Sequence, residues 1–133
     1  MRSLDEVGEF AVGLPGVVEG TAYGNRAWRA GTKLFVWERP LRTTDVESFG
    51  DDPVPADPII GVRVDGLDEK DAILQGGHAG VFTTPHFDGH ASLLVELAAA
   101  EPGMVEELVT DAWLCSASKR AVTAYLDAQG DAD

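Results

Sequence analysis

Two histidines and an acid alternate in Pro85-His86-Phe87-Asp88-Gly89-His90. In an extended chain, residues two apart share a face. Two imidazoles and a carboxylate on one face suit zinc or iron, and His86 beside Asp88 is also a pairing for proton transfer. The flanking residues argue against both. Pro85 and Gly89 break the extended geometry that a three-point metal site needs. No nucleophile adjoins the pair, and Ser92, Thr83 and Thr84 lie outside the strand-to-helix elbow contexts that activate a hydroxyl. The stretch reads instead as a shaped corner between strands, braced by His86 and Asp88. The expectation is a chain without catalytic activity, cofactor or dedicated metal site. Any small ligand is expected to meet Tyr23, His86, Asp88 and His90.

A second constellation is basic and aromatic. Between Gly24 and Arg42 stand five bases, Arg26, Arg29, Lys33, Arg39 and Arg42, and one acid, Glu38. Trp28, Phe35 and Trp37 interleave with them. Such a ribbon can lie against phosphates and stack a base. The alternative is a sheet face whose bases pair with the chain's acids and whose aromatics are core. Acids outnumber bases 23 to 10 and the net charge is −13, a balance that repels phosphate backbones at long range. Binding to DNA through this hairpin is therefore expected to be weak and salt-sensitive. The acids Asp5, Glu6, Glu9, Asp45, Glu47, Asp51, Asp52 and Asp57 read as a solvated face.

The elements that must position these groups follow from periodicity. Ser3 and Glu6 form a capping box ahead of Leu4, Val7, Phe10, Ala11 and Leu14 at helical spacing, and Pro15-Gly16 ends that helix. Val17 to Tyr23 reads as a strand with Gly24-Asn25 as a turn. Arg26 to Ala30 and Lys33 to Arg39 read as a hairpin about Gly31-Thr32. That register pairs Trp28 with Phe35 and Arg26 with Trp37. Pro40 to Pro58 is a long acidic connection with one helical turn near Thr44 to Gly50. Ile59 to Val64 is a strand, and Asp68 is the expected cap of a helix from Glu69 to Gln75. Ser92 to Leu97 is the next strand. A helix from Pro102 or Gly103 to Leu114 and a last helix from about Ala117, capped by Ser116, to Ala128 complete the order. Residues 129–133 read as a frayed tail.

Strands joined by hairpin links, with helices before, between and after them, indicate an α+β domain. Its expected architecture is an antiparallel sheet of five or six strands with helices packed on one face, over a single domain at residues 1–128. At 133 residues and 44% hydrophobic, the chain can bury a core. The one cysteine, Cys115, excludes an intrachain disulfide and fits a reducing compartment. Met1 to Glu6 carries acids where a signal peptide needs an apolar run, and no apolar stretch is long enough to span a bilayer. The expected location is cytoplasmic, with no membrane partner and a monomeric or homodimeric state. Cys115 itself reads as a quiet, partly buried thiol.

Several phrases resemble the YjbR/MmcQ family. They are Leu14-Pro15-Gly16-Val17 with Glu19-Gly20-Thr21-Ala22-Tyr23-Gly24, Lys33-Leu34-Phe35, Phe82-Thr83-Thr84-Pro85-His86-Phe87-Asp88-Gly89, Thr110-Asp111-Ala112-Trp113, and Lys119-Arg120. Ser118 stands where that family often has proline. The resemblance implies a fold similar to CyaY, the bacterial frataxin, and no established enzymatic activity. It also implies DNA binding through a double-wing motif. On that reading the nucleic-acid contacts are Arg26, Trp28, Arg29, Lys33, Trp37, Lys119 and Arg120. Two other readings stay open. One is a module that binds a protein or small ligand in a cleft between the sheet and the His86/Asp88 loop. The other is a frataxin-like acidic metal-binding module.

Overall fold

The computed structural model describes residues 1–131. Among them the chain is an α+β domain built on one six-stranded antiparallel sheet. The strands are β1 (Val17–Ala22), β2 (Asn25–Ala30), β3 (Lys33–Glu38), β4 (Ile59–Arg63), β5 (Val81–Phe82) and β6 (Ser92–Glu96), in the spatial order β1-β2-β3-β4-β6-β5. The helices are α1 (Leu4–Val12), α2 (Thr43–Ser48), α3 (Leu67–Gln75), α4 (Pro102–Ser116) and α5 (Lys119–Asp131). No described helix is long and apolar enough to cross a membrane.

The main core lies between one sheet face and the helices. Trp28, Phe35, Val36, Ile60, Val62, Leu93 and Val95 from the sheet meet Val7 and Ala11 of α1 and Val105, Leu108, Val109, Ala112 and Trp113 of α4. α3 contributes Ile73 and Leu74 to its margin, and α5 contributes Ala121, Val122 and Tyr125. Strand alternation explains the division in β4: Ile60 and Val62 face the helices, while Ile59 belongs to the other side. α1 starts as its capping box dictates, with Ser3 Oγ accepting the Glu6 N–H at 3.2 Å.

The opposite sheet face carries a smaller core of Ala27, Trp37, Ile59, Phe87 and Leu94. The 3-10 turn Pro85–Phe87 covers it through Phe87, and α2 packs against that turn. Gly61 makes this packing possible. A Cβ there would lie 2.3 Å from the Trp37 indole, so only a glycine lets the ring pack this close to β4. The hairpin aromatics therefore do not share a bare sheet face. Trp28 and Phe35 point to the helices, and Trp37 points to the covered side.

The hairpin register differs from expectation for the same reason. The Gly31-Thr32 turn pairs Ala30 with Lys33 and Arg29 with Leu34 as read from sequence, but Trp28 pairs with Val36 and Ala27 with Trp37. A bulge beside Arg29 leaves Phe35 as the extra residue on β3. It lets the consecutive Phe35 and Val36 both enter the main core, which strict alternation forbids. Three helix ends also differ. Gly66, not Asp68, precedes α3, whose first residue is Leu67, with no side-chain cap. Ser118, not Ser116, caps α5, accepting the Ala121 N–H at 3.1 Å, because α4 runs on through Ser116. α5 continues to Asp131, past the expected end at Ala128, and residues 132–133 lie outside the described residues.

Candidate functional site

The histidine loop is folded by its own turn chemistry. Thr84 is extended and Pro85 opens the 3-10 turn. Phe87 N–H donates to Thr84 O at 2.9 Å, and His90 N–H donates to Phe87 O at 3.0 Å. This curl abolishes the shared face that alternation would give. The His86 and His90 rings end up parallel, with centroids 6.4 Å apart and 2° between planes. Asp88 is exposed. Among the described residues no three His, Cys, Asp or Glu side chains come together around a metal position.

Two buried charged groups hold the loop in place. Lys70, from α3, is 5% exposed. Its Nζ donates to Phe87 O at 2.7 Å and to His90 O at 3.0 Å. Burial pushes its pKa below the usual lysine value, opposed by the charges of Asp88 and Asp71. On the other side, Asp45 of α2 is 2% exposed. It accepts the Arg42 backbone N–H at 2.8 Å and the Thr84 hydroxyl at 3.2 Å. The Arg39 Nη2 lies 3.0 Å from Asp45 Oδ2. No N–H of that nitrogen aligns with an acceptor, so the contact is a charge pair rather than a well-formed hydrogen bond. Burial raises the Asp45 pKa, but the Arg42 N–H, the Arg39 charge and the Thr84 hydroxyl outweigh it and hold the group below the usual carboxylate range. The Arg39 guanidinium also stacks 5.2 Å from the Phe87 ring centre. Asp45, read from sequence as part of a solvated acidic face, is in fact the pin between the long connection, β3 and the histidine loop.

Between this braced loop and the sheet lies a cleft of about 310 Å³. Leu34, Trp37 and Arg63 line it from the sheet, and His86, Phe87 and His90 from the loop. Tyr23 and Asn25 line it from the β1–β2 turn, and Arg39 and Arg42 from the start of the long connection. Of the ligand contacts expected from sequence, Tyr23, His86 and His90 meet here, and Asp88 does not. Arg63 stacks 5.7 Å from the Trp37 ring centre. Neither Arg42 nor Arg63 makes an ion pair among the described residues, and the one acid lining the cleft is Glu38, which accepts the Arg26 backbone N–H at 3.1 Å. The cleft is therefore a positive spot in a chain of net charge −13.

Periodicity alone did not bring out Arg63, Lys70 or Asp45. For Arg63 a signal existed: alternation in Ile59-Ile60-Gly61-Val62-Arg63 places it beside Gly61, opposite Ile60 and Val62. For Lys70 and Asp45 the partners are backbone and side-chain atoms far along the chain, which no local pattern records.

The residues read as nucleic-acid contacts scatter. Trp28 is fully buried, and its indole N–H donates to Glu19 at 3.0 Å, so it cannot stack a base. Trp37 is 8% exposed. Arg26 pairs with Asp5 at 2.7 Å and Glu19 at 3.1 Å and lies over Trp28, its pKa raised first by the Glu19 hydrogen bond and then by Asp5. Arg29 donates to Thr21 O at 3.2 Å. Lys33, Lys119 and Arg120 are exposed. The β2–β3 turn and the α4–α5 junction line one groove, through Gly31, Lys33, Ser116 and Ala121.

A separate groove of about 420 Å³ is lined by Asp65, Glu69, Asp111, Cys115 and apolar neighbours. Burial, then Glu107 and Glu69, push the Asp111 carboxyl up. Burial likewise pushes up the Cys115 thiol, which its Ser116 contact only partly offsets. This groove gathers carboxylates, a thiol and apolar surface, whereas the sheet-face cleft converges cations, aromatic rings and apolar surface.

No family model and no solved structure matches the chain. It is 42% identical over 133 residues to the uncharacterized proteins Rv2570 and MT2646 of Mycobacterium tuberculosis, an alignment covering 98% of this chain and 100% of each relative. The uncharacterized protein Mb2600 of Mycobacterium bovis matches to the same extent. With end-to-end similarity at that level, the chain belongs to the family of these mycobacterial proteins.

Proposed function

We propose that the chain is a non-catalytic binding module of the YjbR/MmcQ type whose ligand occupies the cleft between the sheet and the histidine loop. The observation that carries this reading is the convergence of Arg42 and Arg63, both without carboxylate partners, with Trp37, His86, His90 and Tyr23 around one concavity. A concave, largely preformed site with a few placed polar groups is what small-ligand binding requires. The buried bracing by Lys70 and Asp45 makes the loop wall rigid before any ligand arrives, which lowers the ordering cost of binding. The YjbR/MmcQ phrases supply several of these parts: Tyr23-Gly24 at the rim, Thr84 on Asp45, and His86 and Phe87 in the wall.

The test is native mass spectrometry of purified full-length protein, followed by amide chemical-shift mapping with whatever small molecule is retained. Shifts centred on Leu34, Trp37, Arg63 and His86 are the expected result. Shifts centred on the acidic groove at Asp65, Glu69 and Asp111 would overturn the assignment.

Nucleic-acid binding is the second reading, favoured by the exposed Lys33, Lys119 and Arg120 beside a turn-and-helix groove. So few phosphate contacts give weak, strongly salt-dependent affinity. Fluorescence anisotropy with duplex DNA at low and moderate salt tests it. Unchanged binding in a Lys33→Gln, Lys119→Gln, Arg120→Gln variant, or none at low salt, removes it.

A further inference from the structure

Resting on the cleft as ligand site, we infer that its ligand is a compact anion bearing a flat ring, an aryl carboxylate or aryl phosphate. Three observations converge on that chemistry. The first is charge. Arg39 is neutralised by Asp45 and unavailable, but Arg63 and Arg42 line the cleft without an ion-pair partner among the described residues, against the single acid Glu38. A guanidinium fork meets planar carboxylate and phosphate oxygens in pairs, and the −13 chain around it leaves few other places for an anion to settle.

The second is shape. Trp37 packs on Gly61 with the Arg63 guanidinium over its ring and forms the floor, while the exposed His86 and His90 rings are parallel within 2°. The two imidazoles are stacking surfaces for a ring. At about 310 Å³ the cleft sits at the small end of ligand pockets, a size that suits a small ligand.

The third is independent of both. Tyr23 holds φ +54 at the tip of the β1–β2 hairpin, followed by Gly24 at φ +81. A two-residue turn with both φ positive favours asparagine or glycine at its first position. A bulky residue there is strained, and strain of this kind gathers where a site needs it. Tyr23 gains no burial in return, since it is 88% exposed, yet it lines the cleft mouth. A tyrosine ring kept in that conformation at that place is explained by a ring that it covers when the cleft is filled.

The experiment titrates full-length protein with phenyl phosphate and benzoate. Benzamide, cyclohexanecarboxylate and inorganic phosphate serve as probes lacking the charge or the ring. The readout is chemical shifts of the Trp37 indole and the Tyr23 and Arg63 amides. Phenyl phosphate or benzoate is expected to bind about tenfold or more tightly than every probe lacking charge or ring, the equivalent of one charge-assisted hydrogen bond. Which of the two binds more tightly identifies the anionic group. Arg63→Gln should weaken both anions by about tenfold and leave benzamide unaffected. Tyr23→Asn, which preserves the turn, should weaken only the ring-bearing probes.

Equal binding of benzamide or cyclohexanecarboxylate, no shift with either aryl anion, or an indifferent Arg63→Gln variant with a native spectrum would overturn the inference. A neutral or aliphatic molecule retained in the cleft would refute the ligand class and leave the cleft standing. Shifts of the aryl anions on another surface would refute both.

Discussion

The buried pin at Asp45 makes a prediction whose size the structure supplies. Asp45→Ala removes one partner of an ion pair whose side chains are 2% and 8% exposed. Arg39 is left charged where its side chain is only 8% exposed. Its Nη1 still donates to Pro40 O at 2.5 Å, but Nη2 loses its only close anion. Breaking such a pair from one side costs about 3–5 kcal/mol. The same substitution uncaps α2 at the Arg42 N–H and frees the Thr84 hydroxyl, losses that overlap with the first rather than add to it. Against a total stability of about 5–15 kcal/mol this is a large fraction. With a urea slope of about 1–3 kcal/mol per molar, the midpoint should fall by roughly 1–5 M. Tryptophan fluorescence reports it, because Trp37 and Phe87 share the small core that the pin closes. The double variant Arg39→Met, Asp45→Ala should recover much of the loss, since the stranded charge is gone. A single-variant midpoint shift under about 0.5 M with unchanged slope, or a double variant no better than the single, would refute the reasoning. The pH dependence adds a sign. The folded-state pKa of Asp45 lies below its ordinary 3.8, so its contribution is complete above that value and is lost as pH falls through the folded-state value. Asp45→Asn should flatten the acid limb of the stability curve.

Three further outcomes are expected. Gly61→Ala places a methyl 2.3 Å from the Trp37 ring; it should cost about 1–3 kcal/mol by overpacking and shift the Trp37 indole resonance, both readable in one thermal melt and one spectrum. Lys70 has its pKa lowered by burial, so the unfolded chain binds its proton more readily. Wild-type stability should therefore rise with pH as Lys70 deprotonates below 10.5, a rise that Lys70→Met removes when urea midpoints are compared across the alkaline range. Cys115, its thiol pushed up by burial, should react with iodoacetamide at pH 8 more slowly than a free cysteine, and become equally fast only on unfolding.

The α+β class, the capped first helix, the Gly31-Thr32 turn and five of the six sheet strands were legible in the sequence because each depends on residues close together in the chain. Alternation marks a strand, and a serine with a glutamate three residues on marks a helix start. The bulge beside Arg29 was not legible, because the demand for it comes from the helices that Phe35 and Val36 must both meet. Asp45 shows the same limit more sharply. In sequence it is one acid among several in a proline-rich connection. In space it is the acid that reaches both Arg39 and Thr84, and burial changes its meaning from solvation to attachment. The histidine loop was found by residue type, and Tyr23, His86 and His90 do meet at one cleft. Asp88 falls outside it, because the 3-10 turn at Pro85 replaces the two-residue period on which their common face depended. Local periodicity thus determined which elements form. Only the tertiary structure decided which charges are spent on one another and which, at Arg42 and Arg63, have no ion-pair partner among the described residues, since pairing between charges distant in sequence depends on distance and burial that no linear pattern encodes.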